Sequence, residues 1–226
     1  MFEHALFPTL LTEFEYPEKD AFKESFYQNI FKYMSPEGYS SEFTGHVNIH
    51  HEPAFEPFFK FATDSVKQYI ARLHLDPNLF EYNVVKTWMN ITKNRMTPMH
   101  NHADAHMSFT YYINIPKEFS KPIRFFNYHT RHEPFPGCIK FNEPSKWDEF
   151  NSYTWQIEPQ EGRLFVFPAN LTHDTVGHEE AKEPGCFTPE DLDQMRVCLA
   201  CDILLTYKNK AAKPLGVQPV SNWRIF

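Results

Sequence analysis

Apolar residues recur with a helical period in the first third of the chain. Between residues 17 and 34, and again between about 56 and 75, they are spaced by three and four positions, which is the period of an amphipathic helix. The first pattern ends at a Ser-Pro-Glu-Gly turn and the second at an Asp-Pro-Asn turn, both typical helix stops. The pattern predicts two helices, preceded over residues 1–16 by an edge strand or an extended arm.

From residue 82 onward, short β-branched and aromatic runs replace the helical period. They predict strands at about 82–92, 106–115, 122–127, 153–158, 163–168 and 195–207. Two polar stretches, 128–152 and 177–193, predict long loops of the kind that often cover a functional site. We therefore expect an α+β, mainly β protein whose helices support one sheet, with one domain over residues 1–226. Its parts are a supporting segment at 1–80, a β core at 82–207 and a tail at 208–226.

Composition and charge narrow the class of protein. With 226 residues, of which 42% are hydrophobic, the chain can bury a sizeable core. A net charge of −7 offers no general attraction to nucleic acids or anionic membranes, and no apolar run has membrane-spanning length. Cys198 and Cys201 are three positions apart on a predicted strand, so they should face opposite sides as free thiols. We expect a cytoplasmic protein that needs neither nucleic acid nor membrane.

Candidate chemistry is concentrated in His100–Tyr112, which reads HNHADAHMSFTYY. In an extended chain its even positions would present metal ligands and hydroxyls on one face, with Ser108 and Thr110 lining the interior. A His-x-Asp pair is common by chance, so its value depends on the downstream segment 162–173, where an apolar strand leads to His173. Two histidines and a carboxylate from separate strands occupy one face of the metal in non-haem Fe(II) oxygenases.

Arg196 begins the last predicted strand. An arginine that points into a barrel is costly unless it meets an anion, and its planar guanidinium matches a carboxylate. Tyr112, at the end of the polar face, adds a hydroxyl suited to the same anion. The sequence therefore predicts a carboxylate pocket near the metal.

These elements together resemble the Fe(II)/2-oxoglutarate-dependent oxygenases, and most of all a small bacterial and phage-borne branch. The resemblance covers about residues 82–207 and rests on six motifs. They are W-x-N at Trp88 and Asn90, H-x-H-x-D at His100 to Asp104, S-x-x-YY at Ser108 with Tyr111 and Tyr112, G-x-L-x-x-FP at Gly162 to Pro168, L-x-H at His173, and R-V at Arg196 with Val197.

The resemblance implies a double-stranded β-helix, or jelly roll, supported by the N-terminal helices. It implies iron held by His102, Asp104 and His173, no catalytic residue beyond these ligands, and 2-oxoglutarate held by Arg196 and Tyr112. The implied reaction uses O2 and couples decarboxylation of 2-oxoglutarate to succinate with C–H oxidation, such as hydroxylation of a small metabolite or a peptide side chain. We expect a monomer or homodimer.

Several alternatives stay open at the sequence level. His100 competes with His102 as the first ligand, although His-x-Asp is the family spacing. Otherwise His100 is one of five residues that would contact the ligands or the substrate, the others being Ser108, Thr110, Trp88 and Asn90. Because an acidic insertion separates His173 from Arg196, Arg163 and Lys93 are alternative partners for the anion.

Two rival classes share the predicted architecture. Residues 162–173 also fit the second motif of a cupin, a metalloenzyme that does not use 2-oxoglutarate, but the Glu expected after His100-x-His102 is absent. The other rival is a jelly-roll protein that binds a ligand without catalysis. Only an oxygenase gives Arg196 a specific task.

Overall fold

The structure is a computed structural model, and it describes residues 8–30, 32–33, 40–93, 95–116, 121–126, 152, 154–177, 189–208 and 217–225. Most of the two long predicted loops, with His129, His132 and His178, lies outside these residues. Within the described part, the chain forms two α-helices and nine β-strands joined by turns and short 3-10 helices.

Both predicted helices are present and somewhat shorter than the patterns suggested. Helix α1 spans Lys19–Ile30 and α2 spans Glu56–Arg72. A proline stands in the first turn of α2, where its missing N–H costs nothing because that group has no partner within the helix. The buried side chains of each helix lie on one face, which confirms the amphipathic pattern.

Every strand pair is antiparallel, and the strands form two sheets. One sheet has the order β1-β7-β4-β9-β2 and the other the order β3-β8-β5-β6. Their bounds are β1 Thr12–Glu15, β2 Phe80–Thr92, β3 Thr97–His100, β4 Met107–Asn114, β5 Ile123–Phe126, β6 Thr154–Ile157, β7 Arg163–Pro168, β8 Thr172–Thr175 and β9 Arg196–Tyr207.

The five-stranded sheet is buried on both faces. On one face its apolar side chains pack against α1 and α2 in a large core, where Phe58 of α2 lies 4.6 Å from the ring of Tyr111 on β4. On the other face Tyr112, Phe165, Phe167 and Cys198 pack against residues of the four-stranded sheet. All eight residues of β4 are buried as a result. The arrangement is a jelly roll with helices on one side, as predicted.

The extended stretch expected over His100–Tyr112 is interrupted. β3 ends at His100 and β4 begins at Met107, and the intervening segment turns at residues 103–104. This segment carries small and polar residues and lacks the β-branched residues that favour strands. The even positions of β4 still line the interior, but His100 and His173 come from strands β3 and β8 of the other sheet, and His102 follows β3.

The segment before α2 covers part of the exposed edge of β2. Isolated bridges join Ser40 to Asn90 and Asn48 to Thr87, and the Ser41 hydroxyl accepts a hydrogen bond from the backbone N–H of Met89. An uncovered edge strand leaves unpaired backbone groups. The covering segment pairs some of them and brings Ser40 and Glu42 to the cavity described next.

Candidate active site

A cavity of about 320 Å³ lies between the two sheets. It is lined from both sheets, and its walls include every residue that the sequence singled out as a site residue except Asp104. These are Trp88, Asn90, His100, His102, Ser108, Thr110, Tyr112, His173 and Arg196. The fold therefore brings the predicted metal and anion sites into one enclosure.

Three histidines form a cluster in this cavity. His100 ends β3 and is paired across the ladder with His173 on β8, while His102 follows two residues later. One ring nitrogen of each lies within 4.8 Å of the other two, and the rings of His102 and His173 are parallel, with centroids 5.2 Å apart. Two imidazoles from neighbouring strands and a third from the segment after β3 thus converge on one point, as ligands of a metal ion do.

The hydrogen bonds of the three rings define their tautomers. Nδ1 of His100 lies 2.7 Å from the Pro98 carbonyl oxygen, and Nδ1 of His173 lies 2.9 Å from that of Leu171. Nδ1 of His102 lies 2.9 Å and 3.1 Å from the two carboxylate oxygens of Asp202. Because these oxygens accept, each Nδ1 carries the proton and donates it. Nε2 is therefore the nitrogen of each ring that remains available to a metal ion.

The cavity also keeps two of the rings neutral. Burial, and then the nearby His100, lowers the pKa of His173 to about 3. Burial lowers the pKa of His100 as well. A buried imidazole loses hydration when it is charged, so the neutral form is favoured. At neutral pH His100 and His173 are therefore unprotonated at one nitrogen and able to bind a cation.

Asp104 and His106 lie outside the cluster. Asp104 is exposed in the turn after His102 and is not part of the group of converging ligand atoms. His106 is also exposed, and its Nδ1 accepts a hydrogen bond of 3.0 Å from the Leu205 backbone. The structure thus brings His102 and His173 together as expected, but with His100 as their neighbour instead of Asp104.

Asp202 is a site residue that the sequence analysis missed. It lies on β9 opposite Ser108 of β4, is 6% exposed, and accepts a hydrogen bond of 2.7 Å from the Ser108 hydroxyl. The signal was present, since Asp202 is the only acidic residue in the apolar run after Arg196 and stands an even number of positions from it. Alternation along a strand places Arg196 and Asp202 on the same face.

Arg196 and Tyr112 form the second part of the site. The guanidinium is 6% exposed, donates to the Tyr112 hydroxyl at 3.2 Å and to the Lys121 carbonyl at 3.1 Å, and lies 5.1 Å from the centre of the Tyr112 ring. Burial raises the pKa of Tyr112 to about 12, so its hydroxyl stays protonated. Among the described residues no carboxylate pairs with Arg196. A buried cation of this kind suits an anionic ligand.

The two alternative anion partners are placed elsewhere. Arg163 forms ion pairs with Glu13 and Glu15 on the neighbouring strand β1. Neither Arg163 nor Lys93 is among the residues that line the cavity. Of Arg163, Lys93 and Arg196, only Arg196 lines the cavity that contains the histidines.

Trp88 forms the wall beside the histidines. Its ring stacks on His102 with centroids 5.3 Å apart, and the Lys86 ammonium lies 4.7 Å from the centre of the same ring. Lys86 also forms an ion pair with Glu42, which lines the cavity as well. The Trp88 ring thus packs against His102, and the Glu42 carboxylate lies in the wall of the same cavity.

The jelly roll thus encloses three converging histidines together with a buried arginine that has no carboxylate partner in the part of the chain that the structure describes. Residues 86–188 match the family model described as "Putative 2OG-Fe(II) oxygenase". The match spans 103 of the 226 residues, and it agrees with the resemblance of the sequence to the 2OG-Fe(II) oxygenases, oxidoreductases that use Fe(II) and 2-oxoglutarate. None of the curated proteins compared with the chain matches it in sequence.

Several solved structures of low sequence identity share the fold. A Pseudomonas putida prolyl-4-hydroxylase is 11% identical, with a TM-score of 0.51 over 87% of this chain and 92% of its own. AviO1 from Streptomyces viridochromogenes Tue57 is 8% identical, with a TM-score of 0.52 over 91% and 92%. The epimerase SnoN, in complex with Fe3+, alpha ketoglutarate and nogalamycin RO, is 10% identical, with a TM-score of 0.51 over 95% and 92%. At this identity the likeness concerns the fold alone.

In the described part of the chain, neither helix has the length and apolar character that crossing a bilayer requires.

Proposed function

We propose that this protein is an Fe(II)- and 2-oxoglutarate-dependent dioxygenase that hydroxylates a small metabolite or a peptide side chain. The observation that carries the proposal is a buried arginine without a carboxylate partner among the described residues, in the same cavity as three converging histidines. A metal site alone fits a cupin equally well. The arginine distinguishes the two because it requires an anionic ligand beside the metal.

The histidine cluster fits an iron ion. Neutral imidazoles suit Fe(II), and three ligands on one side of an octahedral ion leave the opposite positions open. The chemistry supplied by bound Fe(II) and 2-oxoglutarate is oxidative decarboxylation to succinate and CO2, which activates O2 for attack on a C–H bond. The part played by His100, His102 and His173 is to hold the ion with fixed ring orientations.

Arg196 and Tyr112 are suited to the distal carboxylate of 2-oxoglutarate. The guanidinium has five donors, of which two already bind the Tyr112 hydroxyl and the Lys121 carbonyl, and the remaining ones can bind a carboxylate in a bidentate manner. Because both side chains are almost fully buried, the pair acts where electrostatic interactions are strong. This contact would orient the 2-oxo acid end toward the histidines.

Aromatic side chains in the cavity walls cover part of the histidine cluster. The rings of Phe125 and Phe167 lie 5.9 Å and 5.1 Å from that of His173, and Trp88 covers His102. Excluding water strengthens the electrostatic interactions inside and limits side reactions.

We include in the proposal a cytoplasmic location and a monomer or homodimer. The free thiols of Cys198 and Cys201 support the location, since such thiols are usual in a reducing compartment.

The proposal is tested by anaerobic titration of the apoprotein, first with Fe(II) and then with 2-oxoglutarate. An oxygenase of this class should develop a weak visible metal-to-ligand charge-transfer band only when both are present, and each should raise the melting temperature. A cupin would bind the metal and ignore 2-oxoglutarate, and a non-catalytic binding protein would respond to neither. A substrate screen coupled to succinate release would then identify what is hydroxylated.

A further inference from the structure

We propose that the metal centre is a three-histidine centre formed by His100, His102 and His173, in which Asp202 holds His102 in place and Asp104 does not bind the metal. This inference rests on the proposed function, which places iron in this cavity. It differs from the two-histidine, one-carboxylate set that the sequence suggested.

Backbone geometry places His100 and His102 on the same side of the chain. They are two positions apart, so in an extended segment their side chains point the same way. His100 is paired with His173 in the β3–β8 ladder, and the His102 backbone N–H donates to the Ala169 carbonyl at 2.8 Å. The backbone of all three histidines is therefore fixed by hydrogen bonds, independently of a metal.

The same hydrogen bonds keep Asp104 away. After His102 the chain turns, and at His106 it is fixed again, because its N–H donates to the Ile203 carbonyl and its carbonyl accepts from Ala169. Asp104 lies on the exposed turn between these two fixed points. Bringing its carboxylate to the cluster would require the turn to refold and at least one of these bonds to break.

All three rings are oriented by hydrogen bonds made through Nδ1, with Pro98, Leu171 and Asp202 as partners. The three Nε2 atoms are the nitrogens left free. A set of three oriented, convergent donors needs no fourth protein ligand to occupy one face of an octahedral ion. Two of the partners are backbone carbonyls, and the third is the Asp202 carboxylate.

Asp202 itself is best explained by a bound cation. It is 6% exposed, and among the described residues its side chain bonds to the Ser108 hydroxyl and the His102 ring, neither of which carries a fixed positive charge. A buried carboxylate without a cationic partner is costly. A divalent ion on the far side of the His102 ring would offset this charge, and the carboxylate would in turn make His102 a stronger ligand.

The experiment compares the affinity of apoprotein variants for Fe(II), measured by anaerobic calorimetry, with Co(II) absorption as a spectroscopic check on the ligand set. His100→Ala should weaken Fe(II) binding at least about 100-fold and change the Co(II) spectrum. Asp104→Ala should leave both the affinity, within about twofold, and the spectrum unchanged. Asp202→Asn should weaken binding about 10- to 100-fold, the usual effect of losing an outer hydrogen-bond partner.

The inference would be overturned by a loss of binding in Asp104→Ala as large as in His100→Ala, by wild-type affinity in His100→Ala, or by wild-type affinity in Asp202→Asn. A loss in Asp202→Asn as large as in His100→Ala would also contradict it, because that carboxylate would then be a ligand. If Asp202→Asn does not fold, Ser108→Ala takes its place, with a smaller weakening expected and wild-type affinity counting against the role of Asp202. Failure of the wild type to bind Fe(II) would instead contradict the proposed function.

Discussion

Replacing Arg196 with alanine tests the cosubstrate site most directly. The side chain is 6% exposed, and its hydrogen-bond partners are the Tyr112 hydroxyl and one backbone carbonyl. Removing one partner of a buried, hydrogen-bonded charge pair costs about 2–5 kcal/mol, much of it from the charge left unpaired. We therefore expect 2-oxoglutarate to bind about 30- to 4,000-fold more weakly, because its distal carboxylate would be buried without a cation.

The assay is calorimetric titration of the Fe(II)-loaded protein with 2-oxoglutarate under anaerobic conditions, with Fe(II) affinity measured separately. Iron affinity should change little, since the Arg196 side chain bonds to Lys121 and Tyr112 and, within the described residues, forms no hydrogen bond with the three histidines. Arg196→Lys should give an intermediate loss, because an ammonium keeps the charge but lacks the planar donor pair. Arg163→Ala is the matched control, since that arginine pairs with Glu13 and Glu15 outside the cavity. A 2-oxoglutarate affinity within twofold of wild type in Arg196→Ala would refute the assignment.

One further prediction compares Tyr111 with Tyr112, and another concerns His50. Tyr111→Phe should raise the free energy of unfolding by up to about 1 kcal/mol, because the Tyr111 hydroxyl is buried without a hydrogen-bond partner among the described residues. Tyr112→Phe should instead weaken 2-oxoglutarate binding by about 0.5–1.5 kcal/mol. Denaturant unfolding measures the first effect and calorimetric titration the second. If both variants changed stability and 2-oxoglutarate affinity alike, the opposite orientation of the two side chains would be contradicted. Burial lowers the pKa of His50 from 6.5 to about 4, so the unfolded chain binds more protons and stability should fall as the pH decreases from about 6.5 to 4. For this half-buried side chain the loss of stability is about 1–2 kcal/mol. It is measured by comparing how the free energy of unfolding depends on pH in the wild type and in His50→Asn. If the two pH profiles coincide, His50 is not responsible.

The fold was predictable where a long periodic pattern carried the information. Both helices and the strands β2, β4 to β7 and β9 follow from the sequence pattern, because one or both faces of each element must be apolar to be buried. The strands β3 and β8 were not predicted. Each has four residues and carries polar side chains and histidines toward the cavity, so the ladder between them supplies the stability that local propensity does not.

The site was predictable in its composition but not in its geometry. His102, His173, Arg196 and Tyr112 were identified by residue type and order along the chain, and all four line one cavity. The choice between His100 and Asp104 depends on where β3 ends, since both residues are two positions from His102. Sequence spacing is symmetrical about His102, whereas the structure is not, because the chain leaves the sheet after His100.

The two faces of the five-stranded sheet connect the helices to the chemistry. Along β4, Tyr111 contacts Phe22 and Phe58 of the helices while Tyr112 faces the cavity, and along β9 Cys201 packs in the helical core while Asp202 meets His102. Each site residue on these strands is thus preceded by a side chain fixed in the larger core. Functional groups keep a productive geometry when they are mounted on rigid elements. The N-terminal helices, which carry no site residue, therefore contribute to the site by holding the backbone of β4 and β9 from behind.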